Sequence, residues 1–191
     1  MMMELELTCE KLRVLAPDVL RERLRIPPGK DTILVDHDGP GDLLNRLVQQ
    51  DLLIEAARLL AYALPEREAV WWSCMCVLHT APADFPAAER QATQAAEAWV
   101  RQPSEETKRE AAWAAAAAGY GAPGAWPALA AYWSRPALEG DTRGGRGVDT
   151  AITRAAMRDD TSRQNERLRR FIGSGRDIAS GGAGRLPPEA G

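Results

Sequence analysis

Leu64-Pro65-Glu66-Arg67-Glu68-Ala69-Val70-Trp71-Trp72-Ser73-Cys74-Met75-Cys76-Val77-Leu78-His79 is the stretch that decides the fold. Pro65 stops one helix and can open the next at its first turn. Glu66 and Glu68 follow at once, where the positive end of a helix dipole favours acids. From Val70 to Leu78 almost no polar face is left. A helix that is apolar all round must be surrounded by others. The spacing therefore predicts a helix from Glu66 to about His79 at the middle of an all-α fold.

The neighbouring segments fit that centre. Leu52, Leu53, Ala56, Leu59, Leu60 and Ala63 make an amphipathic stripe. Before them, Asp42 can cap a helix carrying Leu43, Leu44, Leu47 and Val48. After the centre, Asp84 can cap a helix with Pro86 in its first turn and Phe85, Ala88, Ala92, Ala95 and Trp99 along it. Ser104 can cap the next, Glu105 can pair with Arg109, and Ala111 to Ala118 carries high helix propensity up to Gly119. Trp126, Leu129, Ala130 and Trp133 mark one more. The loops are short, which favours antiparallel neighbours. The fold class is all-α: about seven short-looped helices, rich in Ala and Trp.

Composition agrees and excludes several classes. Of 191 residues 33 are Ala, 21 of them between Ala81 and Ala137, and the six Trp fall on the helices from 66 to 134. Small Ala lets helices approach closely, and Trp fills the gaps. The net charge of −3 argues against general nucleic-acid binding or a basic membrane-surface protein. No signal peptide or membrane-length apolar stretch is visible, so the cytoplasm is the expected compartment. Three Cys cannot build a disulfide framework.

The ends read differently. Residues 1–40 form an irregular segment, with a short helix near Asp18 to Leu24 and an extended or strand-like Ile33-Leu34-Val35. Residues 41–134 are the helical core. Residues 135–147, with their glycines from Gly140 to Gly147, read as a Gly/Arg linker. Residues 148–179 read as a C-terminal helical arm, and 180–191 as a disordered tail. The chain carries −6 up to residue 134 and +3 beyond it.

Candidate chemistry is sparse. Cys74 and Cys76 sit two residues apart, about 200° around a helix, and cannot chelate one zinc. Asp36-His37-Asp38, together with Glu66 and Glu68, is the one constellation that a small enzyme could use. It needs both segments in one pocket. No cofactor or metal site is expected. Trp71, Trp72, Trp99, Trp126 and Trp133, with Arg67, Arg170 and Phe171, are the candidates for contact with a protein partner, because Trp and Arg dominate interface hot spots.

The stretch Ala61-Tyr62-Ala63-Leu64-Pro65-Glu66-Arg67-Glu68-Ala69-Val70-Trp71-Trp72-Ser73-Cys74 resembles the hallmark of an uncharacterised bacterial family. So do Ala96-Glu97-Ala98-Trp99-Val100, Pro103-Ser104-Glu105-Glu106, Trp126-Pro127-Ala128-Leu129-Ala130-Ala131-Tyr132-Trp133-Ser134 and the closing Arg169 to Ala179. The resemblance covers roughly residues 45–180. Members are often encoded in type VI secretion clusters, which implies an accessory role in handling cargo or spike components. The expected function is a non-catalytic adaptor or chaperone whose partner is an effector, spike or adaptor protein. The alternatives are an immunity-type protein that neutralises a toxin and the small enzyme above.

Overall fold

A computed structural model describes residues 9–34, 39–135 and 142–189, and every regular element among them is helical. The α-helices are α1 (Pro17–Leu24), α2 (Pro40–Gln49), α3 (Leu53–Ala63), α4 (Glu66–His79), α5 (Ala87–Arg101), α6 (Glu105–Ala118), α7 (Ala125–Trp133), α8 (Arg143–Ala156) and α9 (Gln164–Ala179). Two short 3₁₀ turns, Asp31–Leu34 and Thr161–Arg163, complete them. Ile33 and Leu34 therefore lie in a 3₁₀ turn rather than a strand. No helix among the described residues is long and apolar enough to cross a membrane.

Helix α4 has the bounds that the sequence predicts and contacts α3, α5, α7, α8 and α9. Its Trp72, Cys74, Cys76 and Val77 are fully buried. Ser104 forms a capping box with Thr107, each side chain bonding the other's backbone N–H. Two predicted caps are displaced. Helix α2 starts at Pro40, so Asp42 lies in its first turn and pairs with Arg46. Helix α5 starts behind Pro86, with no side-chain cap. Glu105 pairs with Lys108 rather than Arg109.

The Gly/Arg stretch is the principal correction. Residues 136–141 lie outside the described residues, but Arg143 to Gly147 already form the first turns of α8. These glycines serve close packing. A Cβ added to Gly147 would lie 2.8 Å from the Ala130 Cβ and 2.9 Å from its Cα. One added to Gly144 would lie 3.3 Å from Ser134 Oγ. Gly147 meets Ala130 and Gly144 meets Ser134, so α7 and α8 run antiparallel with almost no side chain between their backbones. Helix α8 touches α3, α4, α7 and α9 and buries Val148, Ala151, Ile152 and Ala155. It is part of the core and not a separate arm. Helix α9 likewise buries Leu168, Phe171, Ile172 and Ile178.

The predicted disordered tail is also corrected as far as Glu189; Ala190 and Gly191 lie outside the described residues. Gly184 is buried at φ +63°, and its N–H donates to Asp177 Oδ2 at 2.7 Å. Ser174 Oγ donates to its carbonyl at 2.7 Å. Glu189 N–H donates to the His79 carbonyl at 2.7 Å. Its carboxylate receives Arg167 and Arg163, each at 2.8 Å. This glycine-containing terminus is placed by a series of hydrogen bonds from α4 and α9, which satisfy many of its backbone groups.

Arginine has a recurrent task. Arg13 donates to the carbonyls of Tyr62 and Leu64 at the end of α3. Arg58 reaches Leu24 at the end of α1, and Arg67 reaches Val100 in the last turn of α5. Arg167 reaches Ala156 and Arg158 at the end of α8. Terminal carbonyls lack partners within their own helix, and a forked cation satisfies more than one of them.

Gly147→Ala is expected to lower stability by up to about 2 kcal/mol. The overpacking cost of about 1–3 kcal/mol exceeds the helix-propensity gain of about 1. Urea unfolding monitored by circular dichroism checks this. A second prediction concerns Glu189, whose carboxyl is held below the usual glutamate range, chiefly by hydrogen bonds from Arg167. A lowered folded pKa stabilises the docked tail fully above the unfolded value of about 4.3, and that contribution is lost as pH falls through the folded value. The Leu186 amide resonance, in the same strand, should hold its position above about pH 5 and shift at more acid pH in the wild-type chain but not in Glu189→Gln.

Candidate functional site

The residues proposed for partner contact divide into core and surface. Trp72, Trp99 and Phe171 are fully buried, which removes them as partner-facing candidates. Trp72 Nε1 donates to the Phe171 carbonyl at 2.9 Å and ties α4 to α9. The physical reason is the all-apolar α4: its neighbours must supply large side chains on every side. Arg67 is exposed and spends its guanidinium on the Val100 carbonyl. Arg170 is exposed and pairs with Glu166 at 2.9 Å along its own helix. Trp71 is half-buried and donates to the Ala183 carbonyl at 3.2 Å.

Trp126 and Trp133 stay half-exposed and come together. They lie seven residues apart on α7, so they share a face. Their ring centroids are 6.5 Å apart in an edge-to-face arrangement. Tyr120, in the turn before α7, extends the row at 6.3 Å from Trp126 and is 54% exposed. Trp126 Nε1 donates to the Tyr120 carbonyl at 3.0 Å. Arg154 of α8 lies 5.7 Å from the Trp126 ring centroid and donates to the Gly121 carbonyl. The row is thus fixed by hydrogen bonds and a cation–π contact before any partner arrives. Rigid aromatic surface held in place is what interface anchors require, because little side-chain entropy remains to be lost. Sequence reasoning missed Tyr120 and Arg154. The one available signal was an aromatic residue between two glycines, Gly119-Tyr120-Gly121, which no core position explains.

A cleft of about 540 Å³ lies between the segment around Arg13 to Val19, the α3–α4 corner and the start of α8. Tyr62 and Glu66 line it, and burial raises the Tyr62 phenol above its ordinary pKa. Glu66, Arg67 and Glu68 diverge, since successive helix positions step by about 100°. Glu66 enters the cleft, Arg67 crosses to α5, and Glu68 pairs with Lys11 at 3.7 Å. Glu66 and Glu68 therefore do not share a site. Asp36, His37 and Asp38 lie outside the described residues. No group of three or more His, Cys, Asp or Glu that could hold a metal occurs among the described residues.

One buried ion pair underlies the row. Glu89 of α5 and Arg158, after α8, are both buried and bonded through two contacts. Glu89 Oε1 also accepts the Gly124 N–H at 2.8 Å, at the start of α7. That carboxylate satisfies an orphan donor and meets the positive end of the α7 dipole. It fixes the helix that carries Trp126 and Trp133.

The family of unknown function DUF6931 matches residues 43–179, and the chain belongs to it. No curated protein and no solved structure matches the chain.

Cys74 and Cys76 are fully buried, and burial pushes both thiols well above their ordinary pKa. The thiolate is the reactive form. Titration of the native protein with an aromatic disulfide reagent is expected to find neither, whereas all three Cys should react in denaturant.

Proposed function

We propose that this member of the DUF6931 family is a non-catalytic, protein-binding accessory factor. It acts in the cytoplasm as an adaptor or chaperone for cargo or spike components of type VI secretion. The observation that carries the protein-binding part is the pre-fixed row Tyr120–Trp126–Trp133. The secretion setting rests on the resemblance of Ala61 to Cys74 and its companion segments to a family often encoded in such clusters.

Mechanistically, α7 offers two indole faces, and the turn before it one phenol, along one side of the fold. A partner helix or extended segment lays apolar side chains between the rings, while Arg154 and the turn carbonyls stay occupied from behind. Because the row is already held, docking loses little entropy. Trp113, 76% exposed on α6, offers a control position on the surface with no ring partner among the described residues.

Capture from cells at near-native expression, together with the products of the neighbouring genes, tests the reading. The expected result is recovery of a secretion effector, spike or adaptor component; recovery of none overturns it. Trp126→Ala or Trp133→Ala should weaken the recovered partner by about 2 kcal/mol, roughly thirtyfold in Kd, with Trp113→Ala close to wild type. Isothermal titration with matched thermal melts measures this.

A further inference from the structure

The last described residues follow the groove between α4 and α9. Residue 183 sits at Trp71, near the start of α4, and residues 187 and 189 sit at His79, at its end. Along α9 the order reverses: Gly184 meets Ser174 and Asp177, and Glu189 meets Arg163 and Arg167. The ten helical residues from Ser174 back to Gln164 span ~15 Å, and five extended residues cover about the same distance. The tail therefore lies extended along the groove, in one direction.

The groove recognises this strand as a peptide-binding channel would. Side chains read its backbone: Trp71 Nε1 on the Ala183 carbonyl, Ser174 Oγ on the Gly184 carbonyl, and His79 Nδ1 on the Pro187 carbonyl. Its polar side-chain anchor is acidic. The Glu189 carboxylate accepts Arg167 through both Nε and Nη2 and Arg163 through Nη2. Leu186 alone of the strand's larger apolar side chains packs against the core, while Pro187 and Pro188 stay exposed. Apart from Leu186, the ties of the strand to the groove are hydrogen bonds and one carboxylate. The groove is built from residues 66–79 and 163–177, inside or at the edge of the family match, and the strand lies beyond residue 179.

We propose that the α4–α9 groove is a docking channel for an extended, carboxylate-bearing segment of a partner protein, and that the chain's own residues 183–189 occupy it as a competitive strap. The Arg163–Arg167 pair selects the carboxylate, and Trp71, Ser174 and His79 register the backbone. The strap is tethered, at an effective concentration in the millimolar range. It shields the channel until a partner segment of the same chemistry outcompetes it. This surface is separate from the Tyr120–Trp126–Trp133 row, so either reading can fail without the other.

The probe is an amidated heptapeptide, Ala-Gly-Arg-Leu-Pro-Pro-Glu, added to the full-length chain. Fluorescence anisotropy should show at least tenfold tighter binding to the Glu189→Gln chain than to wild type. A peptide with Gln in place of its Glu should lose that gain. Hydrogen exchange in the same samples should be faster over 183–189 in Glu189→Gln. A released tail with no peptide bound overturns the proposal, and so does a tail as protected as in wild type. A second measurement needs no substitution: millimolar peptide should speed exchange of the Gly184 amide in the wild-type chain, and no acceleration counts against the channel. A concentration-dependent wild-type dimer that Glu189→Gln abolishes would assign the groove to a second copy's tail, and would overturn the partner reading.

Discussion

The closeness of α7 to α8 is the constraint on which the rest of the structure depends. Gly147 faces Ala130, and Gly144 faces Ser134, with no room for a Cβ at the first and little at the second. Only because those backbones approach so nearly does α8 reach α3 and α4 as well. Beyond its first turn helix α4 has almost no polar side chain, so it needs walls on most of its sides, with only Trp71, Met75 and Leu78 left partly exposed, and α8 is one of those walls. Where small residues close one gap, large ones must fill another. Trp72 and Trp99 do so on the other flanks of α4 and α5, fully buried. Dispersion per atom pair is small, but it is forfeited steeply when packed surfaces separate, so close contact at α7–α8 governs how well the whole centre is filled.

A second constraint is the fate of helix ends. The nine α-helices of the described residues leave many carbonyls without a partner in their own helix. Arg13, Arg58, Arg67 and Arg167 each turn a guanidinium onto a terminal carbonyl of a different helix. Lys presents its donors from a single point and cannot span two carbonyls in a plane. The chain has 21 Arg against 3 Lys, a bias that this structural task can use. Glu89 performs the mirror task at the start of α7, where N–H groups are unpaired, and Arg158 neutralises it. Removing one partner of such a pair strands a buried charge at about 3–5 kcal/mol, far more than the pair's net worth. The pair therefore specifies where α7 sits more than it adds stability, and α7 carries the aromatic row.

Much of the fold was legible and part of it was misleading, for definable reasons. Helix α4 could be read from Glu66 to about His79 because Pro65, the first-turn acids and a nearly continuous apolar run all agree. Gly144, Gly145 and Gly147 misled because composition registers glycine as freedom, whereas here its value is the missing side chain. That distinction needs the partner, Ala130, which lies 17 residues earlier and carries no mark of its role. The tail misled for a related reason: Gly181 to Gly184 look unstructured until Asp177 and Ser174 are placed beside them. The tryptophans were correctly placed on helices but could not be sorted. Helical spacing says which residues share a face and is silent on whether another helix covers it. Trp99 is covered, while Trp126 and Trp133 are only half covered.

Charge shows the same limit and where it resolves. The −6 of the first 134 residues against the +3 of the remainder looks like a body and a separable arm. In three dimensions the opposite charges meet. Arg158 pairs with Glu89, and Arg169 with Asp51 at 2.7 Å. The pair at Asp51 is more than half exposed and contributes at most about 1 kcal/mol. Attachment of the last two helices cannot rest on such contacts. It rests on the burial of Val148, Ile152, Leu168, Phe171, Ile172 and Ile178, each contributing about 1.5–3 kcal/mol relative to exposure. The charge asymmetry is thus a matter of fit between two halves of one core. The strand beyond Ser180 is held differently, by directional bonds, one carboxylate and the single side chain of Leu186.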